Sequence, residues 1–127
     1  MLLTNFFQLK WVEKSDNAVI FTVLINPLHE VFKGHFPQQP VVPGVFTLQM
    51  IKECTEIFLD RKWRYGELSN CKFSRPILPE HDEEIKIRCE YTMENDTLQL
   101  KAKVASGEFD CLSLKATLFE LNTSDHP

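Results

Sequence analysis

His35 is the side chain here best suited to moving a proton near neutral pH, since an unperturbed imidazole titrates in that range. It stands in the run Gly34-His35-Phe36-Pro37-Gln38-Gln39-Pro40-Val41-Val42-Pro43-Gly44-Val45. Phe36 and Pro37 restrict where the imidazole can lie. Pro43 suits the first turn of a helix, where its missing N–H would have had no partner. Gly44 and Val45 would then offer helix N-terminal N–H groups, whose free donors and dipole stabilise negative charge on a carbonyl oxygen. A proton acceptor beside such donors suits proton abstraction next to a thioester carbonyl. A structural histidine capping a turn is the other reading of His35 taken alone.

These residues must be held by the elements around them. Residues 26–44 carry Pro27, Pro37, Pro40 and Pro43 with Gly34 and Gly44, which no regular element tolerates, so they form a shaped loop of a length usually tied to function. Before it, residues 6–12 and 18–25 read as two strands joined at Lys14-Ser15-Asp16-Asn17. After it, residues 45–60 repeat as a helix. Its polar arc collects Gln49, Lys52, Glu53, Glu56 and Asp60, and the remaining circumference is so apolar that other structure should wrap it. Residues 67–75, 84–93, 98–105 and 109–121 read as strands. Ile85, Ile87, Cys89, Tyr91 and Met93 share one face, as do Leu112, Leu114, Ala116 and Leu118, with turns at 94–96 and 106–108. One helix among antiparallel strands is an α+β layout. A single domain over residues 1–121 with a polar tail at 122–127 follows.

Composition narrows the function classes. At 127 residues, with 43% hydrophobic and 25% charged, the chain can fill one core and is not a disordered chain. Its net charge of −4 disfavours broad contact with phosphate backbones, so no nucleic-acid partner is expected. The sequence contains no apolar run of membrane-spanning length and no signal-peptide pattern at its start, so a cytoplasmic location is expected. Cys54, Cys71, Cys89 and Cys111 lie far apart without a zinc-type spacing. They read as reduced, packed thiols, and neither a metal nor a cofactor is called for.

The run from Gly34 to Gly44 closely resembles the signature of the hot-dog-fold β-hydroxyacyl-acyl-carrier-protein dehydratases, G-H-F-P-x-x-P-x-x-P-G followed by an apolar helix. A second family stretch, placed at the start of a later strand, is matched by Phe73-Ser74-Arg75-Pro76-Ile77-Leu78-Pro79. The resemblance implies a curled antiparallel sheet around one long central helix, paired into a homodimer or higher oligomer with active sites at the subunit interface. It maps the catalytic histidine onto His35 and the oxyanion-binding amide onto Gly44. Phe36, Pro37, Val42, Pro43, Val45, Phe46 and Met50 fall where substrate would be bound, although core packing accounts more readily for Phe46 and Met50. The family's second catalytic residue is acidic and lies fourteen positions beyond the histidine, where this chain has Gln49.

An amide does not titrate, so Gln49 can hold a hydroxyl or a water and cannot act as an acid. Glu53, about 6 Å further along the helix axis, and Glu30 in the preceding loop are candidate compensating acids. A solvated surface is the alternative for each. Arg61, Lys62 and Arg64, with Lys72 and Arg75, form a basic cluster that would steer an acidic acyl carrier protein, an ordinary charged loop being the alternative. Dehydration of 3-hydroxyacyl thioesters, carried by that protein or by coenzyme A, is the expected activity. Loss of the acid keeps three alternatives open: a non-catalytic thioester-binding subunit, an enoyl isomerase and a thioesterase.

Overall fold

The computed structural model describes residues 4–33 and 40–121. The strands β1 (Phe7–Ser15), β2 (Ala18–Ile25), β3 (Trp63–Phe73), β4 (Glu84–Glu94), β5 (Thr97–Ser106) and β6 (Phe109–Glu120) form one antiparallel sheet in the order β1-β2-β4-β5-β6-β3. Helix α1 (Gly44–Leu59) lies in its concave face. The expected layout of one helix inside a curled antiparallel sheet is therefore present.

Alternation builds the concave face. Ile85, Ile87 and Cys89 of β4, Leu98, Leu100, Ala102 and Val104 of β5, and Leu112, Leu114, Ala116 and Leu118 of β6 are all buried. They enclose Met50, Ile51 and Cys54, which have no exposed surface. Burying each large side chain stabilises the fold by about 1.5–3 kcal/mol. The β5–β6 turn is set by Gly107, whose φ of +58° suits a residue without Cβ.

Four expectations are corrected. The strand expected over residues 67–75 begins at Trp63 and ends at Phe73. Trp63 is fully buried and draws the basic segment into β3, because burying an indole outweighs the exposure its charged neighbours need. Consequently the second family stretch does not start a strand: Phe73 closes β3, and residues 74–83 form the connection to β4. Pro43 is the residue before the helix, extended at φ −60° and ψ 142°, and Gly44 opens the first turn.

The polar arc of α1 is not a solvent face. Glu56 is buried, and its Oε2 accepts from the Trp63 N–H at 2.8 Å and from Lys52 Nζ at 3.2 Å. Lys52 Nζ also donates to the Trp63 carbonyl at 3.2 Å, so the pair staples the helix to the start of β3. Gln49 is buried as well, while Val45 and Ile57 are left exposed at 63% and 61%.

Candidate active site

The N-terminus of α1 is positioned by two loops from opposite ends of the sequence motifs. The Val42 N–H donates to the Ile77 carbonyl at 2.9 Å, which joins the loop before α1 to the loop after β3. Phe73 lies directly over Gly44: a Cβ added to that glycine would sit 2.8 Å from Phe73 Cζ. The two motifs thus form one structure. Gly44 leaves the Phe73 ring its place over the helix N-terminus, and this is a matter of space, since its backbone conformation is open to any residue.

Asp82 locks the second loop. Its Oδ2 accepts from the Leu78 N–H at 2.8 Å, and its Oδ1 accepts from the Ser106 hydroxyl at 2.6 Å and from Arg75 Nη1 at 3.3 Å. Burial alone would raise the Asp82 pKa. The Ser106 hydroxyl, the Leu78 N–H and the Arg75 guanidinium outweigh it and hold the carboxyl below its ordinary value. Between these loops and the helix lies a cavity of about 280 Å³, lined by Val42, Thr47, Phe73, Arg75, Ile77 and Cys111 among others. Thr47 is 2% exposed on the first turn of α1.

One turn into the helix, Gln49 Nε2 donates to Glu53 Oε2 at 2.9 Å. A carboxylate is therefore bonded to the amide that occupies the expected acid position. Gln49 is anchored by it. Below this pair the helix is core. Met50 is fully buried, and Phe46 meets Phe6 edge to face at 4.8 Å. Burial raises the pKa of the Cys54 thiol and pushes that of Cys89 to about 12, so both remain protonated.

The expected site residues divide accordingly. Val42, Pro43, Gly44, Phe46 and Gln49 gather at or just inside the helix N-terminus, while Val45 points outward. His35, Phe36 and Pro37 lie outside the described residues. Glu30 is exposed in a short 3-10 turn, Glu30–Phe32. The basic cluster is not one patch. Arg61, Lys62 and Arg64 follow the C-terminus of α1, about 24 Å along its axis from Gly44. Lys72 and Arg75 lie at the opposite end of β3, and Arg75 is committed to Asp82 and to the Phe109 ring at 4.6 Å. Arg61 pairs with Glu120 at 3.6 Å, and Arg64 lies over the Phe119 ring at 5.0 Å.

Sequence reasoning missed Thr47, Asp82 and His29. His29 Nδ1 accepts from the Val31 N–H at 3.0 Å, and its Nε2 lies 3.1 Å from the Thr4 carbonyl, so it caps the 3-10 turn. Asp82 carried a signal, since an aspartate in a proline-rich connection commonly bonds nearby backbone. Among the described residues no group of three or more His, Cys, Asp or Glu side chains is placed to hold a metal. No helix among them is long and apolar enough to cross a membrane.

Residues 11–112 match the family described as ApeI-like, ApeI dehydratase. Among curated proteins, the chain is similar to the 3-hydroxyacyl-[acyl-carrier-protein] dehydratase FabZ of Pasteurella multocida (strain Pm70). That likeness is 34% identity over 78 residues, covering 55% of this chain and 47% of the relative. FabZ of Tolumonas auensis is 30% identical over 91 residues, covering 63% and 59%. The chain thus spans about half the length of these relatives.

Among solved structures, it is similar to the dehydratase heterocomplex ApeI:P from Xenorhabdus doucetiae, with TM-score 0.67, 19% identity and coverage of 86% of this chain and 94% of that one. A probable thioesterase from Bartonella henselae gives TM-score 0.65 at 15% identity, covering 88% and 96%. At such identities these two likenesses carry the fold alone, the curled sheet around a central helix known as the hot-dog fold. The family match runs from β1 into β6 and takes in both loops that build the site. The chain belongs to the ApeI-like dehydratase family.

Proposed function

We propose that this protein dehydrates 3-hydroxyacyl thioesters, linked to an acyl carrier protein or to coenzyme A, to trans-2-enoyl thioesters. His35 takes the proton from the carbon next to the thioester carbonyl. The N–H of Gly44 stabilises the enolate-like oxygen. The carbon–oxygen bond at position 3 then breaks as the 2,3 double bond forms. The departing hydroxyl takes a proton and leaves as water.

The single observation that carries this reading is the Gln49–Glu53 hydrogen bond of 2.9 Å. It supports a division of labour in which Gln49 holds a water and Glu53 supplies the proton through it. FabZ relatives carry the same activity in their names, which supports the substrate class. The exposed Val45 and Ile57 and the free edge of β3 support completion of the site by a second copy of the chain. For carrier docking, Lys72 is the expected cation that lies on the site's side and makes no ion pair among the described residues.

The test is interconversion of a 3-hydroxyacyl and a trans-2-enoyl thioester by purified protein, followed by absorbance and mass spectrometry beside His35→Ala. Turnover by the wild type that His35→Ala abolishes is expected. A wild type that binds the thioester without converting it, and gains activity on Gln49→Glu, would favour the non-catalytic binding subunit.

A further inference from the structure

The convex face of the sheet carries a concentration of positive charge, of which only Lys72 enters the carrier-docking reading above. On this face Arg88 of β4 stands directly opposite Lys103 of β5, and Lys101 of β5 stands directly opposite Lys115 of β6. The row through Arg88 and Lys103 continues across Ser113 to Lys72 of β3. Lys72, Lys101, Lys103 and Lys115 are exposed and make no ion pair among the described residues. Glu90, the carboxylate of the second row, is bonded to Arg88 at 2.9 Å.

Like charges directly opposite each other destabilise a sheet. A surface shaped for solubility would intersperse the two signs, and the chain as a whole is acidic at −4. The cations therefore gather against both the local cost and the global charge. A shallow hollow of about 210 Å³ lies among them, lined by Asn70, Arg88, Lys101, Lys103, Ser113 and Lys115 among others.

We propose that this face of β4, β5, β6 and β3 docks an acidic helix of a partner protein. Four strands at about 4.8 Å spacing give a patch about 14 Å across, which matches a helix about 10–12 Å in diameter. Asn70 and Ser113 supply hydrogen-bonding groups between the cations. A membrane surface fits poorly, because these positions offer no apolar side chain to insert and the rest of the acidic chain would be repelled. An extended nucleic acid meets the same repulsion. A compact acidic helix engages the patch and leaves the remaining surface in solvent. Lys101, Lys103 and Lys115 lie on the outside of the sheet and take no part in the dehydratase reading, so their role is independent of it.

The experiment titrates the full chain with a fluorescein-labelled, Glu-rich helical peptide of about 20 residues, ~30 Å long, at low salt. Amide shifts in ¹⁵N spectra map the contact. Parallel titrations use phosphatidylglycerol vesicles and a double-stranded oligonucleotide. Expected are shifts clustered on β4, β5 and β6, loss of binding as salt rises, and about tenfold or greater weakening in Lys101→Glu/Lys103→Glu/Lys115→Glu. The neutral triple Gln variant, with circular dichroism to confirm folding, gives the same direction should the reversed variant fail to fold. Unchanged peptide affinity in a folded variant, shifts elsewhere on the molecule, or tighter binding of vesicles or oligonucleotide would overturn the proposal.

Discussion

Replacing Asp82 tests how the site loop is held. The buried carboxylate accepts from Ser106, Leu78 and Arg75 at 2.6, 2.8 and 3.3 Å. Two hydrogen bonds from buried neutral donors to a charged acceptor contribute about 1.5–3 kcal/mol each. Arg75 is about one-third exposed, at 32%, so solvent screens its share to less than ~1 kcal/mol. Asp82→Ala should then cost about 3–6 kcal/mol, and Asp82→Asn about half of that, because an amide oxygen is a weaker acceptor.

The pH dependence follows from the lowered pKa. A depressed carboxyl stabilises the fold above its unfolded value of about 3.9, and that contribution is lost as pH falls through the folded value. Urea unfolding followed by tryptophan fluorescence should show Asp82→Asn well below the wild type at pH 7, with the gap closing towards pH 3. A gap of equal size at both pH values, or one under ~1 kcal/mol at pH 7, would refute this account of the loop.

The remaining predictions concern the helix and the thiols. Gly44→Ala should change stability by no more than about 1 kcal/mol, because alanine favours the helix and the half-exposed Phe73 ring can swing aside. Its turnover should fall about 10–100-fold as the ring shifts over the site, with partial recovery in Gly44→Ala/Phe73→Ala, measured by steady-state kinetics. Glu56→Ala strands the Trp63 N–H and the Lys52 ammonium, and thermal unfolding should show a loss of about 2–4 kcal/mol. With an aromatic disulfide reagent at pH 8, half-buried Cys71 should react first. Cys54 and Cys89 should react only as the protein unfolds, since burial shields them and raises their pKa values.

Local pattern made much of the fold legible. Strict alternation in β4 and β6 named most of their buried residues, Met93 at the end of β4 being exposed at 40%, and the turn residues placed the hairpins. What alternation cannot show is a side chain recruited from far along the chain. Trp63 stood in a basic segment, and its burial brings its backbone N–H to the acceptor that Glu56 provides. Glu56 and Gln49 fell in a polar arc that periodicity assigns to solvent, yet hydrogen bonds bring both inside. In the site, Gly44 and Phe73 were each legible within their own motif. Their contact was not, since it depends on β3 running back along α1 to bring residue 73 to the helix N-terminus. The same geometry separated Arg61, Lys62 and Arg64 from Lys72 and Arg75, which sequence proximity had grouped.

The proposed division of labour between Gln49 and Glu53 is tested most directly by the turnover of Glu53→Gln on a 3-hydroxyacyl thioester. General acid catalysis contributes about 10²–10⁴ in rate, so kcat should fall by at least ~10²-fold while thioester binding is retained. A Glu53→Gln variant that dehydrates as fast as the wild type would contradict the assignment of Glu53 as the proton source.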